Sequence, residues 1–182
     1  MNNFSEQDPK SFYSLRELTY LSLVVSACVV GRLIFQFIPN VQPMTAIFLI
    51  ITIQLGLSRG LIVCLLSILV TNIYLGMGVW TIEQLFSYFV VLCLTKLICQ
   101  LRIFRDYVIF QGIFSFVVGF IYGIVISYID AQIYGMPSFF TYYLQGLAFD
   151  LSHAIGNICF YVILAPIFYQ LLERAPINKE TS

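Results

Sequence analysis

Residues 44–75 read MTAIFLIITIQLGLSRGLIVCLLSILVTNIYL, and the way that run divides decides the fold. It is too long for one crossing of a hydrocarbon core about 30 Å thick, which takes about 20 helical residues. The interruption at Ser58-Arg59-Gly60 divides it into two short helices, Met44–Leu57 and Leu61–Leu75, turning at that tripeptide. Each falls short of the ideal length, which implies tilt, local thinning of the bilayer or a partly buried position. The rival division, a re-entrant hairpin, leaves Arg59 in hydrocarbon at a cost of about 3 kcal/mol or more. Two crossings is therefore the preferred reading.

The rest of the chain carries the same signature. It has 182 residues, 60% hydrophobic and 10% charged, where a soluble domain carries about 25% charged residues. A mean hydropathy of +0.92 says the same thing. There is too little polar surface to cover a water-facing exterior, so the expectation is an all-α integral membrane protein. Zero formal net charge removes the basic field that nucleic acid requires. Outward from the central run, Leu18–Phe37 supplies a first helix. A Gly76-Met77-Gly78 turn leads to a fourth at Ile82–Leu101, with Thr81 as its cap and Glu83 in its first turn. A basic turn over Leu101–Asp106 precedes a fifth helix, Tyr107–Ile129. Asp130–Ser138 reads as a loop by its Gly and Pro, and Phe139–Leu172 as a long sixth segment interrupted by Pro166.

Six crossings put both ends of the chain on one side. Lys10, Arg16, Arg59, Lys96, Arg102, Arg105, Arg174 and Lys179 all fall there, and Arg32 is the exception. By the positive-inside rule that side is cytoplasmic. The domain plan is then a cytoplasmic segment at 1–14, a six-helix membrane domain at 15–172 and a cytoplasmic tail at 173–182. No A-x-A-like site ends the first apolar run, so no cleaved signal peptide is expected. The five cysteines lie scattered in apolar runs without a CxxC pair and read as packing residues.

Candidate functional residues gather where the first helix breaks, at Ile38-Pro39-Asn40-Val41-Gln42-Pro43. Arg32, Gln36, Asn40 and Gln42 surround that break in an otherwise apolar neighbourhood, on the external side of the predicted topology. Asn72, Trp80 and Gln84 belong to the next external connection and are candidates for the same pocket. In the sixth segment Gly146, Asp150, His153 and Asn157 share one helix face, with Gln145 a turn above. Intramembrane Asp and His look into a cavity or pair with each other, so a structural Asp150–His153 hydrogen bond stands beside a ligand-facing stripe. Tyr134, Tyr142 and Tyr143 bracket the last external loop as membrane-belt residues, and Tyr142 joins the candidate contacts. Small residues at four-residue spacing, Ser22/Ser26 and Ala27/Gly31, mark a close-packing face of the first helix; Gly119-Phe-Ile-Tyr-Gly123 is assigned to internal packing. The chain lacks a GxxxxGK[ST] loop, HExxH and GxSxG, so it hydrolyses no ATP itself and carries no recognisable catalytic set. No metal or intrinsic cofactor is expected. A small membrane enzyme using Asp150, His153 and Asn157 is the alternative of another class.

Taken together, the small-residue first helix, the IPNVQP break, Gly56-x-x-x-Gly60 and Asn72-Ile-Tyr-Leu-Gly76-Met-Gly78-Val-Trp80-Thr-x-x-Gln84 resemble the substrate-binding S components of energy-coupling factor (ECF) vitamin transporters. The resemblance covers roughly residues 15 to 172. It implies a bacterial plasma-membrane subunit that captures a vitamin outside. That subunit then docks on a transmembrane coupling (T) subunit and two cytoplasmic ATPases, which alone use ATP. It also implies that Ala27 and Gly31, with Ser22 and Ser26, face the coupling subunit, and that Arg32, Gln36, Asn40, Gln42, Asn72, Trp80 and Gln84 line the pocket. Ser or Gly stands where the family often shows alanine. IPNVQPMT together with LGMGVWT looks like the cobalamin-type members, with pantothenate the second choice and Arg32 its carboxylate partner.

Overall fold

A computed structural model describes residues 13–174; Lys10, Lys179 and most of the two expected terminal segments lie outside the described residues. Seven helices account for the fold, with no strand among the described residues: α1 Leu15–Ile34, α2 Met44–Leu55, α3 Leu57–Leu75, α4 Val79–Ile98, α5 Arg102–Asp106, α6 Val108–Ile133 and α7 Phe139–Arg174. Five of them are long and apolar enough to cross a membrane, and α2 is a shorter apolar helix. Contacts along the rods give their directions. Glu17 and Arg32 of α1 meet Arg59 and Asn72 of α3, so α1 and α3 run parallel. Asp130, Gly119 and Gln111 of α6 meet Tyr142, Ala154 and Tyr161 of α7 in reverse order, an antiparallel pair. The long helices and α2 thus alternate in direction, with the start of α1 and the end of α7 at the same end.

Helix α2 is the axis of the bundle. Ten of its twelve residues are buried, among them Phe48, Leu49, Ile50 and Ile51. A helix apolar all round is stable only when surrounded, and α1, α3, α4 and α7 do the surrounding. Of the three accommodations open to a short helix, burial is the one observed for α2.

The break in the central run lies at Gly56, earlier than expected. Gly56 has φ 95° and ψ 167°, open at little cost only to glycine, so α3 restarts at once and Ser58-Arg59-Gly60 forms its first turn. Gly60 serves close approach, its α-carbon lying against the Thr52 side chain. Arg59 is buried and ion-paired with Glu17; it also donates to the Leu55 carbonyl (2.8 Å) and lies over the Tyr13 ring.

Other boundaries shift for local reasons. Helix α1 starts at Leu15 because the Ser14 side chain accepts from the Glu17 amide (3.2 Å), and it ends at Ile34. Helix α4 starts at Val79 without a side-chain cap. Thr81 accepts from Asn72 instead, and Glu83 lies buried beside Asp130. The basic turn contains α5, anchored by buried Phe104. Helix α6 runs on to Ile133, so Asp130 is helical and the loop shrinks to 134–138. Helix α7 continues through Pro166 to Arg174, about 54 Å at 1.5 Å per residue, and so overshoots a bilayer core. The cysteines are free, and Cys28, Cys64 and Cys99 are buried as packing residues.

Gly119 and Gly123 do pack internally. A Cβ on Gly119 would sit 2.6 Å from the Ala154 α-carbon, and one on Gly123 would overlap the Asp150 carboxyl. Gly119→Leu is expected to cost about 1–3 kcal/mol or more by overpacking, read as a lower apparent Tm in detergent. Gly146→Leu, where a Cβ meets open space, is expected to leave the Tm unchanged.

Candidate functional site

The chain between α1 and α2 folds over the end of the bundle remote from the chain ends. Asn40 takes a left-handed backbone (φ 57°), tolerable for Asn, and its Nδ2 donates to the Phe149 carbonyl of α7 at 3.3 Å. Pro43 lies directly on the Gly31 α-carbon, which lets the break fold tightly back on α1. Beneath this connection is a cavity of about 200 Å³ lined by Arg32, Phe35, Gln36, Ile38, Pro39, Asn40, Val41, Gln42, Leu75, Gln84, Tyr122 and His153.

One wall is a hydrogen-bonded chain. The Arg32 Nη1 donates to Thr71 Oγ1 (2.6 Å) and Asn72 Oδ1 (2.9 Å). Asn72 Nδ2 in turn donates to Thr81 Oγ1 and Gln84 Oε1, both at 3.0 Å. All of Arg32's hydrogen-bond partners are neutral, and among the described residues no carboxylate lies within ion-pair distance of it. A second wall is built from four helices. His153 of α7, 2% exposed, is bonded through Nε2 to Thr45 of α2 (2.9 Å), and Thr45 Oγ1 also meets the Tyr88 hydroxyl of α4 (2.9 Å). The Tyr122 ring of α6 stands edge-on to the imidazole at 5.0 Å.

The cavity thus brings together Arg32, Gln36, Asn40, Gln42, Gln84 and His153. Asn72 is buried behind the wall and holds Arg32 and Gln84 in place. Four predicted site residues lie elsewhere. Trp80 is half-exposed and packs over Gly78; Gln145 is exposed on α7; Tyr142 donates to Asp130 Oδ2 at 3.0 Å. Asp150 does not bond His153: its carboxyl lies on Gly123, with Oδ2 unpartnered among the described residues. Asn157 is fully buried with its amide likewise unpartnered. The face predicted from spacing divides, His153 turning to α2 and Asp150 to α6.

Thr45, Tyr88 and Tyr122 are the contributors that sequence reasoning missed. The available signals were Thr45 as a hydroxyl in the first turn of an apolar helix, and Tyr122 beside the glycine that seats α7. On the outer face, Ser22 and Ser26 are exposed and bond back to the Leu18 and Ser22 carbonyls, and Ala27 is exposed. An apolar groove of about 380 Å³ runs there between α1 and α7, past Tyr20, Leu23, Ala27, Phe168 and Leu171. Gly31 is half-buried against Pro43. Comparison with protein-family models, with curated proteins and with solved structures finds no match to this chain.

Proposed function

We propose that the chain is the substrate-binding subunit of an ECF-type vitamin importer, with six crossings, cytoplasmic ends and a site open to the outside of a bacterial plasma membrane. The observation that carries this reading is the polar cavity under the α1–α2 connection. It lies at the end of the bundle opposite Arg16, Arg59 and Arg174, so in a positive-inside topology it meets solute from outside. Having no nucleotide-binding motif, the chain relies on a coupling subunit and two ATPases for energy. Of the two ligands considered, the volume favours the smaller. A cavity of about 200 Å³ falls below the range of about 300–1,000 Å³ that drug-sized ligands fill, and a corrinoid would require it to open several-fold. The membrane-enzyme reading gains nothing from the geometry, since Asp150 and His153 do not act on one another.

Mass spectrometry of small molecules retained by the purified protein tests the assignment directly. A vitamin of this size is the expected result, and uptake by the chain reconstituted alone would overturn it in favour of a self-sufficient carrier. Ala27→Trp is expected to lower uptake at least about 10-fold by blocking helix–helix approach, with ligand affinity within about 2-fold. Gly31→Trp is no clean counterpart, because Gly31 packs on Pro43 beside the cavity.

A further inference from the structure

We infer that the ligand of this cavity is a small molecule with one carboxylate, met by Arg32, and a second hydrogen-bonding group, met by His153. The inference rests on reading the cavity as a substrate site and adds the chemistry of what enters it.

The charge argument comes first. Arg32 is only partly exposed and lines the cavity, and a charge withdrawn from water is costly unless paired. Both of its hydrogen bonds leave from Nη1 and both go to neutral oxygens. A guanidinium has five N–H donors, and the adjacent Nε and Nη2 form the fork that fits a carboxylate with two parallel bonds. Those donors have no partner among the described residues. Arg32 is also the one permanently charged residue in the cavity lining, the others being amides, aromatics, apolar residues and His153. A monoanion therefore neutralises the site, whereas a cation or a multiply charged anion does not.

The second half of the pattern is the His153 wall. Nε2 of His153 is taken by Thr45, while Nδ1 has no protein partner among the described residues, on a side chain that lines the cavity. The chain Tyr88–Thr45–His153 can run in either direction. If Tyr88 donates to Thr45 and Thr45 to Nε2, then Nδ1 carries the proton and donates; if the chain reverses, Nδ1 accepts. No heavy atom moves between the two. The site thus serves a hydroxyl, an amide or a carbonyl, and a bare hydrocarbon end would leave Nδ1 unsatisfied. The cavity volume of about 200 Å³, below the range of about 300–1,000 Å³ for drug-sized ligands, favours a compact carboxylate.

Two sources offer an anion here, a soluble carboxylate or the headgroup of an anionic lipid, and the test separates them. The full chain, in nanodiscs of zwitterionic lipid, is titrated with pantothenate, nicotinate and biotin. Each is compared with a neutral counterpart: pantothenol, nicotinamide and biotinamide. One carboxylate is expected to bind at least about 100-fold more tightly than its neutral partner. Arg32→Gln, confirmed as monodisperse, is expected to erase that ratio, and Arg32→Lys to keep part of it. His153→Phe is expected to weaken binding about 10-fold while preserving the ratio. A carboxylate bound no better than its neutral counterpart, or an Arg32→Gln variant with unchanged affinity, overturns the inference and leaves a substrate site of other chemistry. Carboxylate binding abolished by adding phosphatidylglycerol to the discs assigns Arg32 to lipid and also overturns it. If nothing binds and nothing co-purifies, the transport reading falls as well.

Discussion

Arg59→Leu alone is expected to leave little folded protein and Glu17→Leu to cost less, while the double substitution recovers most of what Arg59→Leu loses. The two side chains are 7% and 6% exposed and bonded to one another where the start of α3 meets the start of α1. Removing Arg59 strands the Glu17 carboxylate as a buried charge, at about 3–5 kcal/mol. Against a total stability of about 5–15 kcal/mol, that is a large fraction. Removing both exchanges an ion pair for apolar contact, which is often neutral or better. Recovery stays incomplete because Arg59 also donates to the Leu55 carbonyl, capping the end of α2, and covers the Tyr13 ring. The measurement is monodisperse yield and apparent Tm in detergent for the four proteins. Tolerance of Arg59→Leu alone would mean that the pair is not buried in the working molecule.

Arg59 also shows what the sequence could and could not convey. Its position near a turn was legible, because a basic residue splits an apolar run too long for one crossing. Its partner was not, since Glu17 lies 42 positions away and only the packing of α1 on α3 joins them. The turn was misplaced for a related reason: Ser58-Arg59-Gly60 carries the polarity, but Gly56 carries the backbone freedom, and freedom decides where a chain reverses. Burial of α2 was open to sequence only as one of three accommodations for a short helix.

The site divides along the same line. Arg32, Gln36, Asn40 and Gln42 were visible because polar residues cluster at a break between apolar helices. His153 was visible because a histidine is costly in such a helix. The partners Thr45, Tyr88 and Tyr122 resemble ordinary core residues, and only convergence of α2, α4 and α6 makes them a polar wall. Pairing His153 with Asp150 followed from three-residue spacing, which brings side chains to adjacent rather than identical directions. Gly123 gives Asp150 its own seat.

Six residues of α1 link the outer face to the cavity. Ala27 borders the groove on the outside, Gly31 lies under Pro43, and Arg32 reaches Asn72 inside. A partner that shifted α1 would therefore move the α1–α2 connection and Arg32 together. This makes the Arg32 environment the place where substitution without change of shape is most informative.

Asn72→Asp is expected to lower affinity for a carboxylate ligand about 10- to 100-fold while leaving the apparent Tm equal or higher. The substitution is isosteric, so the cavity keeps its form. The Oδ1 position, 2.9 Å from Arg32 Nη1, becomes a carboxylate oxygen, and Arg32 acquires a permanent counter-ion inside the wall. The two bonds Asn72 donates, to Thr81 Oγ1 and Gln84 Oε1, survive by reversal: the Thr81 hydroxyl turns to donate, and the Gln84 amide flips to present its NH2. The fold therefore loses little and gains an ion pair, whereas the ligand loses its partner charge. A neutral counterpart such as pantothenol should be unaffected, so the ratio between acid and neutral compound collapses from the opposite direction to Arg32→Gln. Asn72→Leu separates this from simple damage: it removes the support of Arg32 and Gln84 together and is expected to lower both Tm and binding of every compound. If Asn72→Asp left carboxylate affinity intact, the ligand's charge would have to be met somewhere other than Arg32.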